Sequence, residues 1–141
     1  MRTSVIRGDG VREFRARHAA VIVGFALVGW GLCAATMGIG MAVVGLQVAI
    51  VVHAAVAPVI FAAISMVYFK HFAYTTPLTT AAVFVAIVVF MDVGVVAMLV
   101  QRSFEMFTSF LGTWLPFVLI FASTYLTGSI VHRRRGGRTG L

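Results

Sequence analysis

Two side chains in the apolar part of this sequence can do acid–base chemistry near neutral pH, His53 and Asp92. Each sits in an uncharged or nearly uncharged run long enough to cross about 30 Å of hydrocarbon. A carboxylate in the middle of such a crossing costs roughly 2.5–3.5 kcal/mol on insertion scales and normally faces the bundle interior with a partner. With the second crossing entered near Val48 and the third left near Val100, a rise of 1.5 Å per residue puts His53 about 8–9 Å below one membrane boundary. Asp92 falls about 12 Å below the same boundary. The matching depths predict a His53–Asp92 contact. Such a pair titrates as a unit, and the chemistry open to it is proton relay or binding of a small cation. The alternative is a hydrogen bond that only fixes helix register, and bonds of that kind average about 0.6 kcal/mol in one well-measured membrane protein.

Other residues reach toward the same region. Pro58, five residues after His53, cannot donate to the Ala54 carbonyl, so it is expected to bend its helix and free a backbone acceptor beside the histidine. Cys33 and Thr36 on the first crossing approach a similar depth. Ser123, Thr124, Tyr125 and Thr127 make the fourth crossing the richest in hydroxyls. Thr36, Pro58 and Thr124 are therefore candidate lining residues, beside the simpler reading that such hydroxyls bond to the preceding turn of their own helix.

The elements that must hold these residues are legible from composition. The 141 residues are 61% hydrophobic and 11% charged, with mean hydropathy +1.05, far from the quarter-charged make-up of soluble domains. A soluble enzyme fold is excluded. Four crossings are expected at about 19–40, 48–69, 78–100 and 113–131, forming one all-α membrane domain with basic tails at 1–18 and 132–141. The N-terminal tail reads as mobile, leading into a short basic helix. The segment Gly38 to Gln47 reads as a tight inter-helix turn; its GxGxxxxG spacing is not that of a dinucleotide loop. Thr76-Pro77 is a helix start, since threonine can accept from free N–H groups and proline at the first position loses nothing. Residues 101–112, with Phe104, Phe107 and Leu111 opposite Arg102, Glu105 and Ser109, predict a short interfacial helix before the fourth crossing.

Charge sets the expected orientation. Ten of the eleven Lys and Arg lie in the two tails and the loop between the second and third crossings; only Arg102 lies elsewhere. By the positive-inside rule both termini are cytoplasmic, which requires an even number of crossings. The +7 formal charge therefore reads as topological, with specific lipid binding by the basic clusters as the alternative, the lipid bilayer as partner and no nucleic acid. Ten arginines to one lysine suggest a GC-rich bacterial genome and hence the inner membrane. Faces rich in small residues on the first crossing, such as Gly24, Gly31, Ala35 and Gly38, offer a surface for close helix contact and a homodimer.

No cofactor or metal site is expected. Eighteen residues separate His53 from His71, about 27 Å along a helix, so the two cannot bridge one haem. His18, His71 and His132 all fall near the cytoplasmic boundary, where solvated helix ends explain them as well as a metal would. No nucleophile–base motif points to an enzyme.

The strings Phe90-Met-Asp-Val-Gly-Val-Val-Ala97 and Ser109-Phe-Leu-Gly-Thr-Trp-Leu-Pro-Phe117 resemble small uncharacterised four-span bacterial membrane proteins, a resemblance that covers all four crossings and implies no activity. Small multidrug-resistance exporters share the size and plan, but their hallmark glutamate in the first span is missing here. Quinone-linked thiol oxidoreductases need several cysteines, and Cys33 is alone. The functional expectation is a small transporter or ion-conducting protein using Asp92 and His53 for proton or cation binding. The alternative is an accessory or assembly subunit in which the two residues are purely structural.

Overall fold

The computed structural model describes residues 5–102 and 104–137 and contains no strand among them. Helix α1 runs Val5–Val44, α2 Leu46–His71, α3 Pro77–Met91 and α4 Leu115–Gly136. A π-helical stretch, Asp92–Gln101, continues α3; a 3-10 turn, Glu105–Thr108, and a π-helical turn, Phe110–Trp114, lead into α4. Four helical segments are long and apolar enough to cross a membrane: Gly10–Val44, Leu46–His71, Pro77–Leu99 and Phe110–Gly136.

The helices alternate in direction. At the end where α1 begins and α4 ends, here the proximal end, His18 stacks on Tyr74 with ring centroids 3.7 Å apart, and Arg135 donates to the Lys70 carbonyl. At the distal end, Ile50 lies beside Gly112. Packing joins α1 to α2, α2 to α4, α4 to α3 and α3 to α1. The bundle order is thus α1–α2–α4–α3, with α2 and α3 across a diagonal. Their buried rings meet there: Phe61 and Tyr68 of α2 stand edge-on to Phe84 of α3 at 5.8 Å and 6.2 Å. Edge-to-face pairs of this kind are worth about 0.5–1.5 kcal/mol beyond the area they bury.

Small residues permit the close approaches. A Cβ on Gly128 of α4 would stand 2.5 Å from the Phe69 ring and 2.9 Å from Pro77, so the glycine is where α4 meets the end of α2 and the start of α3.

The loop from α2 to α3 is held by hydroxyls. Thr80 Oγ1 donates to the Thr76 carbonyl at 2.9 Å, so its 2.7 Å bond to Thr75 must be donated by Thr75. That commits the Thr75 proton, so the Tyr68 hydroxyl donates to Thr75 Oγ1 at 3.0 Å. The directed chain Tyr68 to Thr75 to Thr80 to Thr76 pins a fully buried tyrosine to the start of α3. Thr76 caps α3 as its sequence predicts, accepting from the Thr79 N–H, with Pro77 in the first turn.

Several boundaries differ from expectation. The basic segment is not a separate helix: α1 is continuous from Val5 for 40 residues, about 60 Å and twice the hydrocarbon thickness. His18, edge-on to Phe14 of its own helix, stacks on Tyr74 and gives that extension a tertiary anchor. Residues 1–4, part of the expected mobile tail, lie outside the described residues, as do 138–141. The turn between α1 and α2 is Gly45 alone. Gly38 and Gly40 remain helical, while Gly45 takes φ 82° and ψ 167°, a conformation essentially reserved for glycine. The expected interfacial helix at 101–112 shrinks to the four-residue turn Glu105–Thr108 between Arg102 in the left-handed region and Ser109, which caps the next turn by accepting from Gly112. Ser103 lies outside the described residues. With its start moved to Phe110, the last crossing begins before Trp114, whose indole donates to the Phe107 carbonyl at 3.0 Å.

Candidate functional site

The tryptophan of α1 turns inward where the sequence offered a histidine of α2. Trp30 Nε1 donates to Asp92 Oδ1 at 2.8 Å, joining α1 to the first residue of the π-helical stretch. The expected His53–Asp92 contact is not formed: no hydrogen bond or ion pair joins the two, and the buried Nδ1 of His53 has no partner. An indole nitrogen is always a donor, so it can neutralise a lone pair of the carboxylate without ever taking its proton. Asp92 is half-buried, and Oδ1 alone is engaged by Trp30. Oδ2 has no hydrogen-bond partner among the described residues, so it is the oxygen more open to exchange.

Cys33 links the two halves of the site. It lies one turn beyond Trp30 on α1, is 5% exposed, and its thiol is close enough to Asp92 to interact electrostatically. The His53 ring approaches the Cys33 backbone from α2. The arrangement is therefore a row, Asp92 then Trp30 and Cys33 then His53, rather than a pair. Three elements supply it: α1, α2 and the widened continuation of α3. π-Helical turns are uncommon and often found at functional sites because they displace a side chain from the regular helical register. Here the register changes at the acid itself.

The three candidate lining residues do not join this row. Thr36 donates to the Leu32 carbonyl of its own helix at 2.9 Å. Pro58 is half-buried within an α2 that runs on through it, and the Ala54 carbonyl loses its helical donor there. Thr124 is fully buried on α4 with an unpartnered hydroxyl. Ser65 of α2 is likewise fully buried and unpartnered. Each precedes by one turn the contact of Phe69 with Gly128, so the parallel helices α2 and α4 carry the two hydroxyls at one level, far toward the proximal end from Asp92.

The proximal histidines are separate from one another in their interactions. His18 stacks on Tyr74, His71 Nδ1 bonds to the Val67 carbonyl of its own helix at 3.0 Å, and His132 lines a surface cavity with Arg135. Among the described residues, no three His, Cys, Asp or Glu side chains are grouped to hold a metal ion.

Trp30 is the site residue that sequence reasoning passed over. Trp30 had a visible signature: tryptophan favours the membrane interface, and one in the middle of a crossing needs an acceptor for its N–H. Ten residues from the expected end of its crossing, about 15 Å, it stood nearly level with Asp92. Comparison of the chain with known protein families, with curated proteins and with solved structures finds no match.

Proposed function

We propose that this chain is a small multi-pass membrane protein of the transporter or ion-conducting class, in which Asp92 binds a proton or small cation. The observation that supports it is a half-buried carboxylate within a crossing, held by one oxygen on Trp30 and placed where α3 leaves regular helical geometry. Intramembrane acids are functional by default because their insertion is costly. In this reading Trp30 positions Asp92, and His53, whose buried Nδ1 is unpartnered, receives or passes on the proton through an intervening water or a side-chain rearrangement. The charge bias supports cytoplasmic termini in a bacterial inner membrane, and a bundle this slender supports a homodimer as the conducting unit.

One observation favours a second reading. The Trp30–Asp92 bond joins α1 to the end of α3, and a register lock is all that an accessory or assembly subunit requires. Proteoliposomes with a pH dye inside separate the two. The transport reading predicts dye response under an imposed gradient that is lost in Asp92→Asn and kept in Arg102→Gln. Absence of flux in the wild type, together with a stoichiometric partner on purification, selects the accessory reading.

A further inference from the structure

The first hairpin is closely packed along one face and leaves a groove beside its proximal half. Near the Gly45 turn its two helices touch: a Cβ on Gly40 would stand 3.0 Å from the Cβ of Ala49. Midway, large side chains fill the gap, and a Cβ on Gly29 would meet the Phe61 ring at 2.6 Å and Ile64 at 3.2 Å. Five residues further, at Gly24, which is turned to another face of α1, nothing lies within 4 Å of a Cβ position. The space left there is an apolar groove of about 510 Å³, walled by Val21, Gly24 and Val28 of α1 and by Ala63, Ile64 and Val67 of α2. Val28 and Val67 in its walls are exposed, so it opens on the outer surface of the bundle.

The rows that wall the groove become basic at its proximal mouth. On α1, Arg17 lies three, four and seven residues before Ala20, Val21 and Gly24, on the same stripe. On α2, Lys70 lies three and seven residues after Val67 and Ala63. Both side chains are exposed. Neither cation lines the groove itself, and the stacking of His18 on Tyr74 ties this turn of α1 to the segment just after α2, so both basic positions fall at its proximal end. The nearest acid on the α1 row, Glu13, is one further turn out, about 6 Å along the axis.

We propose that the α1–α2 groove seats an acyl chain of an anionic phospholipid whose phosphate is held between Arg17 and Lys70. An oily slot between two crossings with cations at one membrane boundary matches both parts of such a molecule, and basic pockets between crossings are the recurrent form of anionic headgroup sites. A basic residue near the surface contributes about 1 kcal/mol toward an anionic lipid. Two give about 2 kcal/mol, a roughly thirtyfold preference over a zwitterionic lipid of the same chains.

Native mass spectrometry of the full chain in neutral detergent, titrated with phosphatidylglycerol or phosphatidylcholine of identical acyl chains, tests this. The expected result is one tightly retained phosphatidylglycerol with about thirtyfold selectivity. The double variant Arg17→Gln/Lys70→Gln, changed only at exposed positions, loses the selectivity while still binding lipid. Gly24→Leu, placed in open space that requires no repacking, loses retention of both lipids. Equal retention of the two lipids by the wild type overturns the proposal. So does selectivity that survives the double variant, or a dimeric wild type that Gly24→Leu converts to monomer, which would make a second copy the occupant.

Discussion

Trp30 and Asp92 make unequal demands on substitution. Asparagine at position 92 keeps an oxygen for the indole to bond, so Asp92→Asn is expected to unfold within about 0.5 kcal/mol of the wild type in detergent while losing any proton binding. Trp30→Phe removes the donor and leaves a carboxylate in a crossing without its bond, a loss of about 1–3 kcal/mol in the same unfolding measurement. In the double variant Trp30→Phe/Asp92→Asn much of that loss returns, because no charge is left uncompensated. His53 behaves oppositely. Its buried Nδ1 has no partner, so His53→Leu is expected to be neutral to stabilising by up to about 1 kcal/mol. If that variant also ends proton flux, the histidine is retained for function at a cost in stability. Depth arithmetic singled out Asp92 and His53 and set them at one expected membrane level. It paired them wrongly because it considered only groups that carry charge, whereas a buried carboxylate is satisfied as well by a neutral N–H from a third helix.

The helix ends show what local chemistry can and cannot specify. Thr76-Pro77 was readable because cap and proline act within one turn, and Thr76→Ala should lower stability by about 0.5–2 kcal/mol in thermal unfolding. Among Gly38, Gly40 and Gly45, no local rule says which one turns the chain. Glycine serves both a close helix contact and a positive φ, and only the register of α1 on α2 assigns those tasks to Gly40 and Gly45. Gly45→Ala is expected to cost about 1–3 kcal/mol, since alanine rarely adopts that conformation. Gly31→Ala, with open space at its Cβ, should be neutral or gain up to about 1 kcal/mol. The segment 101–112 had helical spacing of apolar residues yet forms only a short turn. Arg102 in the left-handed region and the cap at Ser109 confine the chain before a full helix can form.

At the scale of the bundle, hydropathy and length made four crossings visible, because each needs about 20 apolar residues whatever it packs against. Their ring order was not visible. It depends on which faces meet, and faces that are apolar all round carry no periodic mark of lipid side and core side. The order α1–α2–α4–α3 is what lets α1 reach both His53 and Asp92, so the site is a property of topology that no single crossing contains. The proposed use of that site is reversible proton uptake by one carboxyl group. Infrared difference spectroscopy on the reconstituted protein, titrated through neutral and mildly acidic pH, reads this directly. The account predicts a carbonyl band of a protonated carboxylic acid that appears and disappears reversibly and is absent from Asp92→Asn. A spectrum with no such band, or with the same band in Asp92→Asn, would contradict it.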